Sequence, residues 1–276
     1  MDGKQTASQV EKHVAEQVNS LKARGIMPCL AVILVGEDKA SQVYVHNKEK
    51  ACERTGILSL SIRLDAGVSQ QELLNLVDEL NQDPKVHGIL VQLPLPAHLD
   101  STEILNRILF SKDVDGFHPM NAGLMTKGQK CLMSCTPAGV MHLLKTYGIE
   151  VSGKHAVILG RSQIVGRPMS TLLLNASATV TVCHSRTVNL PELTRQADIL
   201  VASVGHAGFV TPEMVRPGAV VIDVGIHRTE QGLRGDVMPE VADVASFMTP
   251  VPGGVGPMTV AMLMNNVAEA ASWAVH

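Results

Sequence analysis

The chain has 276 residues, of which 45% are apolar and 18% are charged. These values are typical of a globular protein with one large or two modest domains, and they exclude a disordered chain. The net charge of -3, without a basic block, argues against nucleic acid as a partner. No apolar run approaches the roughly 20 residues that cross a bilayer, and the polar N-terminus lacks the apolar core of a signal peptide. We therefore expect a cytoplasmic protein with no membrane association.

Short β-rich runs alternate with amphipathic segments along most of the chain. Aromatic residues are only 3%, so the core is aliphatic, which suits parallel strands buried on both faces. The predicted strands, in chain order, are LAVILVG (30–36), VHGILVQLPL (86–95), KHAVILG (154–160), ATVTVCH (178–184), DILVASVG (198–205) and AVVIDVG (219–225). The predicted helices are residues 41–56, 69–82, 101–109, 136–148, 166–176 and 260–275. This alternation is typical of an α/β protein built from βαβ units.

Two segments rich in turn-forming residues predict a division into two α/β domains. Residues 111–135 show little periodicity, so we predict a loop there. A second such segment, TPVPGGVGPMT (249–259), precedes the last helix. We predict that the first domain comprises residues 1–125 with the C-terminal helix 258–276, and that residues 126–257 form a Rossmann-like parallel sheet. A cleft between two such domains is a favoured place for a ligand.

The five cysteines are too few and too scattered for a disulfide framework. Cys131, Cys135 and His142 resemble part of a zinc site, but no second pair of ligands accompanies them in the sequence. We therefore expect reduced thiols and no metal.

A glycine turn between a strand and a helix opens the predicted second domain, in the sequence GRSQIVGRP (160–168). Backbone N–H groups and the helix dipole at such a turn attract phosphate. Ser162 stands where the common GxGxxG pattern has its middle glycine. The turn therefore indicates dinucleotide binding, although a tight βα turn that needs glycine only for packing has the same pattern.

The residues after the next strand favour NADP over NAD. NAD-binding folds usually place an acidic residue there to bind the ribose 2′-hydroxyl, but residues 160–191 contain none. Ser185 and Arg186 follow the strand instead, and a hydroxyl with a guanidinium suits a 2′-phosphate; Arg161 offers a second cation. Two later strand ends are expected near the nicotinamide: Val204-Gly205-His206 and Val224-Gly225-Ile226.

Three polar residues share one face of the helix after the first strand. Ser41, Tyr44 and Lys48 lie at steps of three and four. A lysine on that face can project into the cleft, and a partly desolvated amine can shuttle protons near neutral pH. The alternative is an ordinary solvated lysine, for which Lys50 on the same helix is the natural comparison.

Two further polar elements are predicted to face the same cleft. Gln92 follows an apolar strand, at the edge where open α/β sheets bind ligands. The loop KDVDGFHP (112–119) holds Asp113 and Asp115, and a carboxylate there can bind a donor-rich ring such as a pterin. The alternative is that either aspartate only caps a turn.

Seven segments, in order from about residue 40 to 265, resemble the methylenetetrahydrofolate dehydrogenase/cyclohydrolase family. They are ASQVYVHNKEKACERTGI, GILVQLPLP, KDVDGFHPMNAG, CTPAGV, GRSQIVGRPM, VIDVGI and PVPGGVGPMTVAML. The resemblance implies oxidation of 5,10-methylenetetrahydrofolate to 5,10-methenyltetrahydrofolate with NADP, followed by hydrolysis to 10-formyltetrahydrofolate. It also implies a homodimer.

The resemblance further implies roles for individual residues. Lys48 corresponds to the catalytic lysine, Gln92 to the glutamine that hydrogen-bonds and tunes it, Tyr44 to the aromatic residue stacked on folate, and Asp115 to the anchor of the pterin ring. The residues that line the folate pocket are Gly254 and Pro257. The implied cofactor contacts are Gly160, Arg161, Ser162, Ser185 and Ile226, with Arg161 and Ser185 on the 2′-phosphate.

Two other functions are compatible with the predicted fold. A shikimate-type dehydrogenase of a small hydroxy acid also pairs two α/β domains and uses a lysine. A non-catalytic nucleotide-sensing protein could keep the cofactor fold, because fold alone does not fix function. The first does not require Tyr44 and Lys48 together with the other motifs, and loss of Lys48 or Asp115 would have favoured the second.

Overall fold

The computed structural model describes residues 1–230 and 232–274. The chain forms two compact units. We call one the lysine unit, which comprises Ser8–Cys135 and the end of the chain from Val260, and the other the glycine-turn unit, which comprises Met1–Ala7 and Thr136–Thr259. Residues 275 and 276, which the sequence assigned to the last helix and its domain, lie outside the described residues. The predicted domain boundaries stay a prediction.

The lysine unit contains a parallel sheet with the strand order β2-β1-β3. Its strands are β1 (Cys29–Val35), β2 (Leu58–Leu64) and β3 (Gly88–Val91). The helices of this part of the chain are α1 (Gly3–Ala23), α2 (Lys39–Thr55), α3 (Gln70–Gln82), α4 (Ser101–Arg107) and α5 (Pro119–Thr126). The central strand β1, CLAVILV, is buried along its whole length, as expected for a parallel strand covered on both faces.

Helix α2 owes its ends and its orientation to the local sequence. The Asp38 carboxylate accepts the Ser41 N–H at 2.7 Å and caps the first turn. Gly56 ends the helix in the left-handed conformation, with φ of 74°. The buried residues Ser41, Val45, Ala51, Cys52 and Thr55 form the inward face of the helix. Since Lys48 falls on this face one turn from Val45 and from Cys52, its stem is carried toward the core.

The glycine-turn unit contains a parallel sheet with the order β10-β7-β6-β4-β5. Its strands are β4 (His155–Leu159), β5 (Thr179–Cys183), β6 (Ile199–Ala202), β7 (Val220–Asp223) and β10 (Phe247–Met248), and the hairpin strands are β8 (His227–Thr229) and β9 (Gly232–Arg234). Its helices are α6 (Cys135–Thr146), α7 (Gly166–Asn175) and α8 (Leu190–Thr194), and α9 (Val255–Trp273) contains the last unit boundary. The chain leaves β4 toward β5 on one side and returns as β6 on the other. Ligands of open α/β sheets bind at such a switch point, outside the carboxyl ends of the strands.

The α/β class and the parallel sheet are confirmed, but several elements were not predicted. They include the short helix α8 and the short strands β8, β9 and β10, and three further elements are informative. Residues 111–135, predicted as loop, contain α5, a helix too short to display a clear period; its buried residues Asn121 and Met125 are one turn apart. Helix α1 was not predicted, although its buried apolar residues recur at steps of three and four from Ala7 to Leu21. Strand β2 was also missed; it alternates apolar with polar residues as an edge strand does, and lacks the continuous apolar run of the strands that were predicted.

Candidate active site

A hydrogen bond joins Lys48 to Gln92 in the lysine unit. Lys48 Nζ donates to Gln92 Oε1 at 3.0 Å. Gln92, directly after β3, is 9% exposed, and Lys48 is half-buried, whereas Lys50 is exposed. Gln92 Nε2 donates to the Leu93 carbonyl at 2.7 Å, which fixes the amide with its oxygen toward the lysine. The amine is therefore held by one hydrogen bond and has further N–H hydrogens for other partners.

Asp115 lies within electrostatic reach of Lys48. Burial raises the pKa of the Asp115 carboxyl to about 6, and the charge of Lys48 opposes part of that rise. Gly116 follows with φ of 73°, and a Cβ at this position would lie 2.4 Å from the backbone of Met133 and Ser134. The turn that presents Asp115 therefore requires glycine.

The two aspartates of the loop have different surroundings. Asp113 is 2% exposed, and its Oδ2 accepts the His118 N–H at 2.8 Å and Asn121 Nδ2 at 2.9 Å. Asp113 is therefore an aspartate that caps a turn, which was the alternative considered for both residues. Asp115, two residues later, is the carboxylate beside Lys48.

Asn266 of α9 belongs to this site but was not predicted from the sequence. Its Nδ2 donates to the carbonyls of Val114 and Met133, both at 2.8 Å. The Cys135 thiol donates to the same Val114 carbonyl at 3.2 Å. Burial raises the pKa of Cys135 well above its ordinary value, so the group stays a thiol. Asn266 therefore fixes the residue before Asp115; the only signal in the sequence was a pair of asparagines in an apolar helix.

The structure brings Lys48, Gln92 and Asp115 together, and it places Tyr44 one turn before Lys48 on α2. The Tyr44 side chain is 47% exposed, so its ring is available for stacking. Gly254 and Pro257 belong to the glycine-turn unit. A Cβ at Gly254 would lie 2.5 Å from the Pro250 carbonyl oxygen, which gives this glycine a packing function. The predicted substrate contacts of Tyr44, Gly254 and Pro257 stay predictions.

The glycine turn of the other unit is closely packed. Gly160 has φ of 112°, and a Cβ there would lie 2.3 Å from the Ser203 carbonyl oxygen. A Cβ at Gly166 would lie 2.2 Å from the Gly160 carbonyl oxygen. Ser162 Oγ accepts the N–H groups of Val165 and Gly166 at 3.1 and 3.3 Å. Packing thus accounts for both glycines, and the Ser162 hydroxyl keeps its own hydrogen for another acceptor.

Arg161 and Ser185 lie at the same edge of the sheet. The Cα partners Leu159 and Cys183 are the last pair of β4 and β5, and Arg161 and Ser185 each follow two residues later. Both are exposed. Ile226, which follows β7, is 44% exposed although it is a large apolar residue. These positions fit a dinucleotide that crosses the carboxyl edge of the sheet.

Two general findings concern residues 1–230 and 232–274. No helix within these ranges is long and apolar enough to cross a membrane. Nor do these ranges contain a group of three or more His, Cys, Asp or Glu residues that could hold a metal ion.

Two domain families match the chain. Tetrahydrofolate dehydrogenase/cyclohydrolase, catalytic domain, matches residues 1–115. Tetrahydrofolate dehydrogenase/cyclohydrolase, NAD(P)-binding domain, matches residues 134–275. Together these matches account for most of the chain.

Full-length relatives are similar in sequence and in structure. The bifunctional protein FolD of Exiguobacterium sp. is 56% identical over 273 residues, which are 99% of this chain and 98% of the relative. The crystal structure of bifunctional FolD from Campylobacter jejuni is 52% identical, covers 98% of this chain and 97% of that chain, and has a TM-score of 0.96. The Trypanosoma brucei methylenetetrahydrofolate dehydrogenase-cyclohydrolase, complexed with NADP cofactor and inhibitor, is 40% identical, with coverages of 100% and 98% and a TM-score of 0.94.

A shikimate dehydrogenase from Aquifex aeolicus matches much less closely. It is 15% identical and has a TM-score of 0.54, with coverages of 91% of this chain and 98% of that chain. This likeness shows the fold alone.

The pKa of Asp115 predicts a pH-dependent contribution to stability. Because the pKa is raised in the folded state, folding binds protons between about pH 4 and pH 6, and the aspartate destabilises the fold progressively as pH rises through this window. Asp115→Asn removes this dependence. The difference in melting temperature, variant minus natural protein, should therefore be more positive at pH 7.5 than at pH 4.5.

Differential scanning fluorimetry at both pH values measures this difference. Asp243→Asn, at an exposed position, is the control for replacing an aspartate by an asparagine. A difference for Asp115→Asn that does not change between the two pH values would contradict the assignment of a raised pKa.

Proposed function

This chain belongs to the tetrahydrofolate dehydrogenase/cyclohydrolase family, and from that membership we propose that it catalyses both reactions in the family's name. The family predicted from the seven sequence segments is confirmed, as are an enzymatic function and a nicotinamide dinucleotide cofactor. In the first reaction 5,10-methylenetetrahydrofolate is oxidised to the methenyl form. In the second, the methenyl form is hydrolysed to 10-formyltetrahydrofolate. The observation that carries the proposal is the Lys48–Gln92 hydrogen bond beside Asp115.

Neither alternative function is favoured. The shikimate-type dehydrogenase shares only the fold with this chain. A nucleotide-sensing protein would have no need of a half-buried lysine held by a buried glutamine.

The folate is bound by side chains of distinct chemistry. The Asp115 carboxyl can pair with the N–H groups of the pterin ring, because a carboxylate accepts two parallel hydrogen bonds. The exposed Tyr44 ring, one turn from Lys48, stacks on the folate. Gly254 and Pro257 line the pocket by their correspondence to the family loop.

The glycine-turn unit fits NADP. Gly160 and Gly166 allow the turn to pack closely, and the Ser162 hydroxyl, which accepts two backbone N–H groups there, keeps its own hydrogen to donate to a phosphate. Arg161 and Ser185, two residues beyond paired positions of adjacent strands, supply a cation and a hydroxyl for the 2′-phosphate, without a carboxylate to repel it. NADP, when bound, accepts the hydride of the one-carbon bridge. The Trypanosoma brucei relative in complex with NADP supports this choice of cofactor.

The hydrolysis depends on movement of protons by Lys48. Water attacks the methenyl carbon, and the neutral amine form of Lys48 accepts one proton of this water, which leaves a hydroxyl on the former methenyl carbon. Lys48 then returns this proton to N5, which takes the electron pair of the breaking bond between N5 and this carbon, while the hydroxyl releases its proton to solvent and becomes the carbonyl of the formyl group on N10. Gln92 holds the amine in position during both transfers, since its Oε1 accepts a Lys48 N–H at 3.0 Å.

The assembly and the location of the protein are part of the proposal. The edge strand β2 exposes Leu58 and Leu60, which are 55% and 41% accessible. Exposed apolar residues on an edge strand favour pairing with another chain, and we assign this edge to a homodimer. We also place the enzyme in the cytoplasm, a compartment that is compatible with folate substrates and in which thiols stay reduced.

Replacing Lys48 by Met should lower cyclohydrolase turnover by roughly two to four powers of ten, because general acid–base help is lost. The dissociation constant for NADP should not change. Hydrolysis of added methenyltetrahydrofolate, followed by its absorbance, measures the first effect, and calorimetry measures the second. Lys50→Met, at an exposed position of the same helix, is the matched control, and normal turnover in Lys48→Met would rule out the assignment.

Replacing Arg161 by Ala should raise the KM for NADP by about tenfold or more, because a charge-assisted hydrogen bond to the 2′-phosphate is lost. The KM for NAD, which lacks that phosphate, serves as the internal control and should stay unchanged. Initial rates with each cofactor provide the comparison. An equal rise for both cofactors would show that Arg161 does not recognise the 2′-phosphate.

Replacing Leu60 by Lys should convert the proposed dimer to a monomer, because it places a charge on the apolar edge of β2. Light scattering coupled to size-exclusion chromatography measures the mass. Leu174→Lys, at a residue of α7 that is 62% exposed, is the control for an added surface charge. A monomeric natural protein, or an unchanged dimer in Leu60→Lys, would contradict the assignment.

A further inference from the structure

Two aspartates are buried in the glycine-turn unit outside the predicted contacts. Asp223 ends β7 and is 1% exposed, and Asp236, just beyond β9, is 0% exposed. Burying a carboxylate is costly unless hydrogen bonds replace its hydration. Their partners therefore indicate what the two side chains do.

Asp236 holds the segment that follows β6. Its Oδ2 accepts the N–H groups of Val204 and Gly205 at 2.6 and 3.1 Å, and its Oδ1 accepts that of His206 at 3.0 Å. Oδ1 also lies 2.7 Å from His227 Nε2. Because a carboxylate only accepts, this ring nitrogen carries the hydrogen and donates it.

Asp223 holds the segments on either side of the hairpin. Its Oδ1 accepts the Gly225 N–H at 3.0 Å and the Asp236 N–H at 2.9 Å. A Cβ at Gly225 would lie 2.3 Å from Asp236 Oδ1, and one at Gly235 would lie 1.8 Å from Asp223 Oδ2. Both glycines are therefore required for the two carboxylates to come so close to the backbone.

The network fixes both neighbours of Ile226. The Gly225 N–H is bound by Asp223, and the His227 ring is bound by Asp236. Ile226 itself remains 44% exposed at the carboxyl edge of the sheet. The β8–β9 hairpin accounts for the contact between Asp236 and His227. The pairing of His227 with Arg234 returns the chain so that Asp236 lies beside His227.

We propose that His227 and Asp236 are positioning residues for the oxidation step, which hold Ile226 as an apolar platform for the nicotinamide ring. Asp236 joins the segment after β6 to the segment after β7, and these are the two strand ends expected near the nicotinamide. The segment after β6 begins at Ser203, whose carbonyl approaches Gly160 of the phosphate turn. The inference rests on the NADP-dependent oxidation proposed above and adds two residues to it.

Ligand binding to the full-length protein tests this inference independently of catalysis. His227→Leu removes the donor to Asp236. His227→Gln keeps an N–H donor of similar reach. Calorimetry with NADP and with adenosine 2′,5′-bisphosphate, which lacks the nicotinamide half, compares the two ends of the site. Arg228→Ala, at the exposed next residue, is the matched control.

We expect His227→Leu to weaken NADP binding about tenfold, as for loss of a hydrogen bond to a charged group. Binding of adenosine 2′,5′-bisphosphate should be unchanged, and His227→Gln should restore most of the NADP affinity. Unchanged NADP binding in His227→Leu, equal weakening of both ligands, or no recovery in His227→Gln would each overturn the inference. If His227→Leu does not fold, His227→Asn, with a side chain too short to reach Asp236, replaces it.

Kinetics separate this inference from the proposed function. In His227→Leu the dehydrogenase kcat/KM for NADP should fall about tenfold, whereas hydrolysis of added methenyltetrahydrofolate should stay at the natural rate. A purely structural role would lower both activities together and would contradict the inference. If the natural protein does not reduce NADP with methylenetetrahydrofolate, the proposed function fails, and the calorimetric comparison still decides whether the network positions the nicotinamide.

Discussion

In this protein the burial of the paired parallel strands restricts the positions at which polar side chains can take part in binding or catalysis. The central strands β1, β4, β6 and β7 are almost wholly buried, and a charged side chain within them would need costly desolvation. Polar groups are therefore found where the strands end. Gln92 follows β3, Gly160 and Arg161 follow β4, Ser185 follows β5 and Ile226 follows β7. The helices between the strands add groups that approach these ends, of which Lys48 on α2 is the clearest case.

Part of this arrangement follows from the sequence alone. The inward stripe of α2 requires Lys48 to be half-buried, and an apolar strand that ends in Gln92 puts this amide at the binding edge. The dinucleotide site was likewise predicted from residue types, namely the glycine turn and the lack of acidic residues after it. The strands with continuous apolar runs were predicted, whereas the regular apolar spacing of α1 was missed.

Other features could not be predicted, because they depend on contacts between residues distant in sequence. Residue types alone did not distinguish Asp113 from Asp115, which only the family resemblance separated; in the structure the difference arises because Asn121 and the His118 N–H occupy one carboxylate and not the other. Asn266 acts on Val114 from 152 positions away. Helix α5 is only two turns long, too short to display a clear period.

The two proposed sites rest on separate sets of buried polar contacts. Lys48 depends on the fixed amide of Gln92, while Asp115 is presented by a turn that Asn266 holds in place. The dinucleotide edge depends instead on two buried carboxylates, which bind backbone N–H groups and leave Ile226 exposed. The proposed mechanism therefore predicts that substitutions in one set alter one reaction and leave the other intact.

The most direct test of the central claim is a progress curve with 5,10-methylenetetrahydrofolate and NADP, in which NADPH and the methenyl product are recorded together by absorbance. Two activities predict that NADPH forms with little accumulation of the methenyl product, and that NAD supports a slower reaction. Methenyl product that accumulates in step with NADPH would mean that the Lys48 site does not catalyse hydrolysis. No reduction of NADP would contradict the account as a whole.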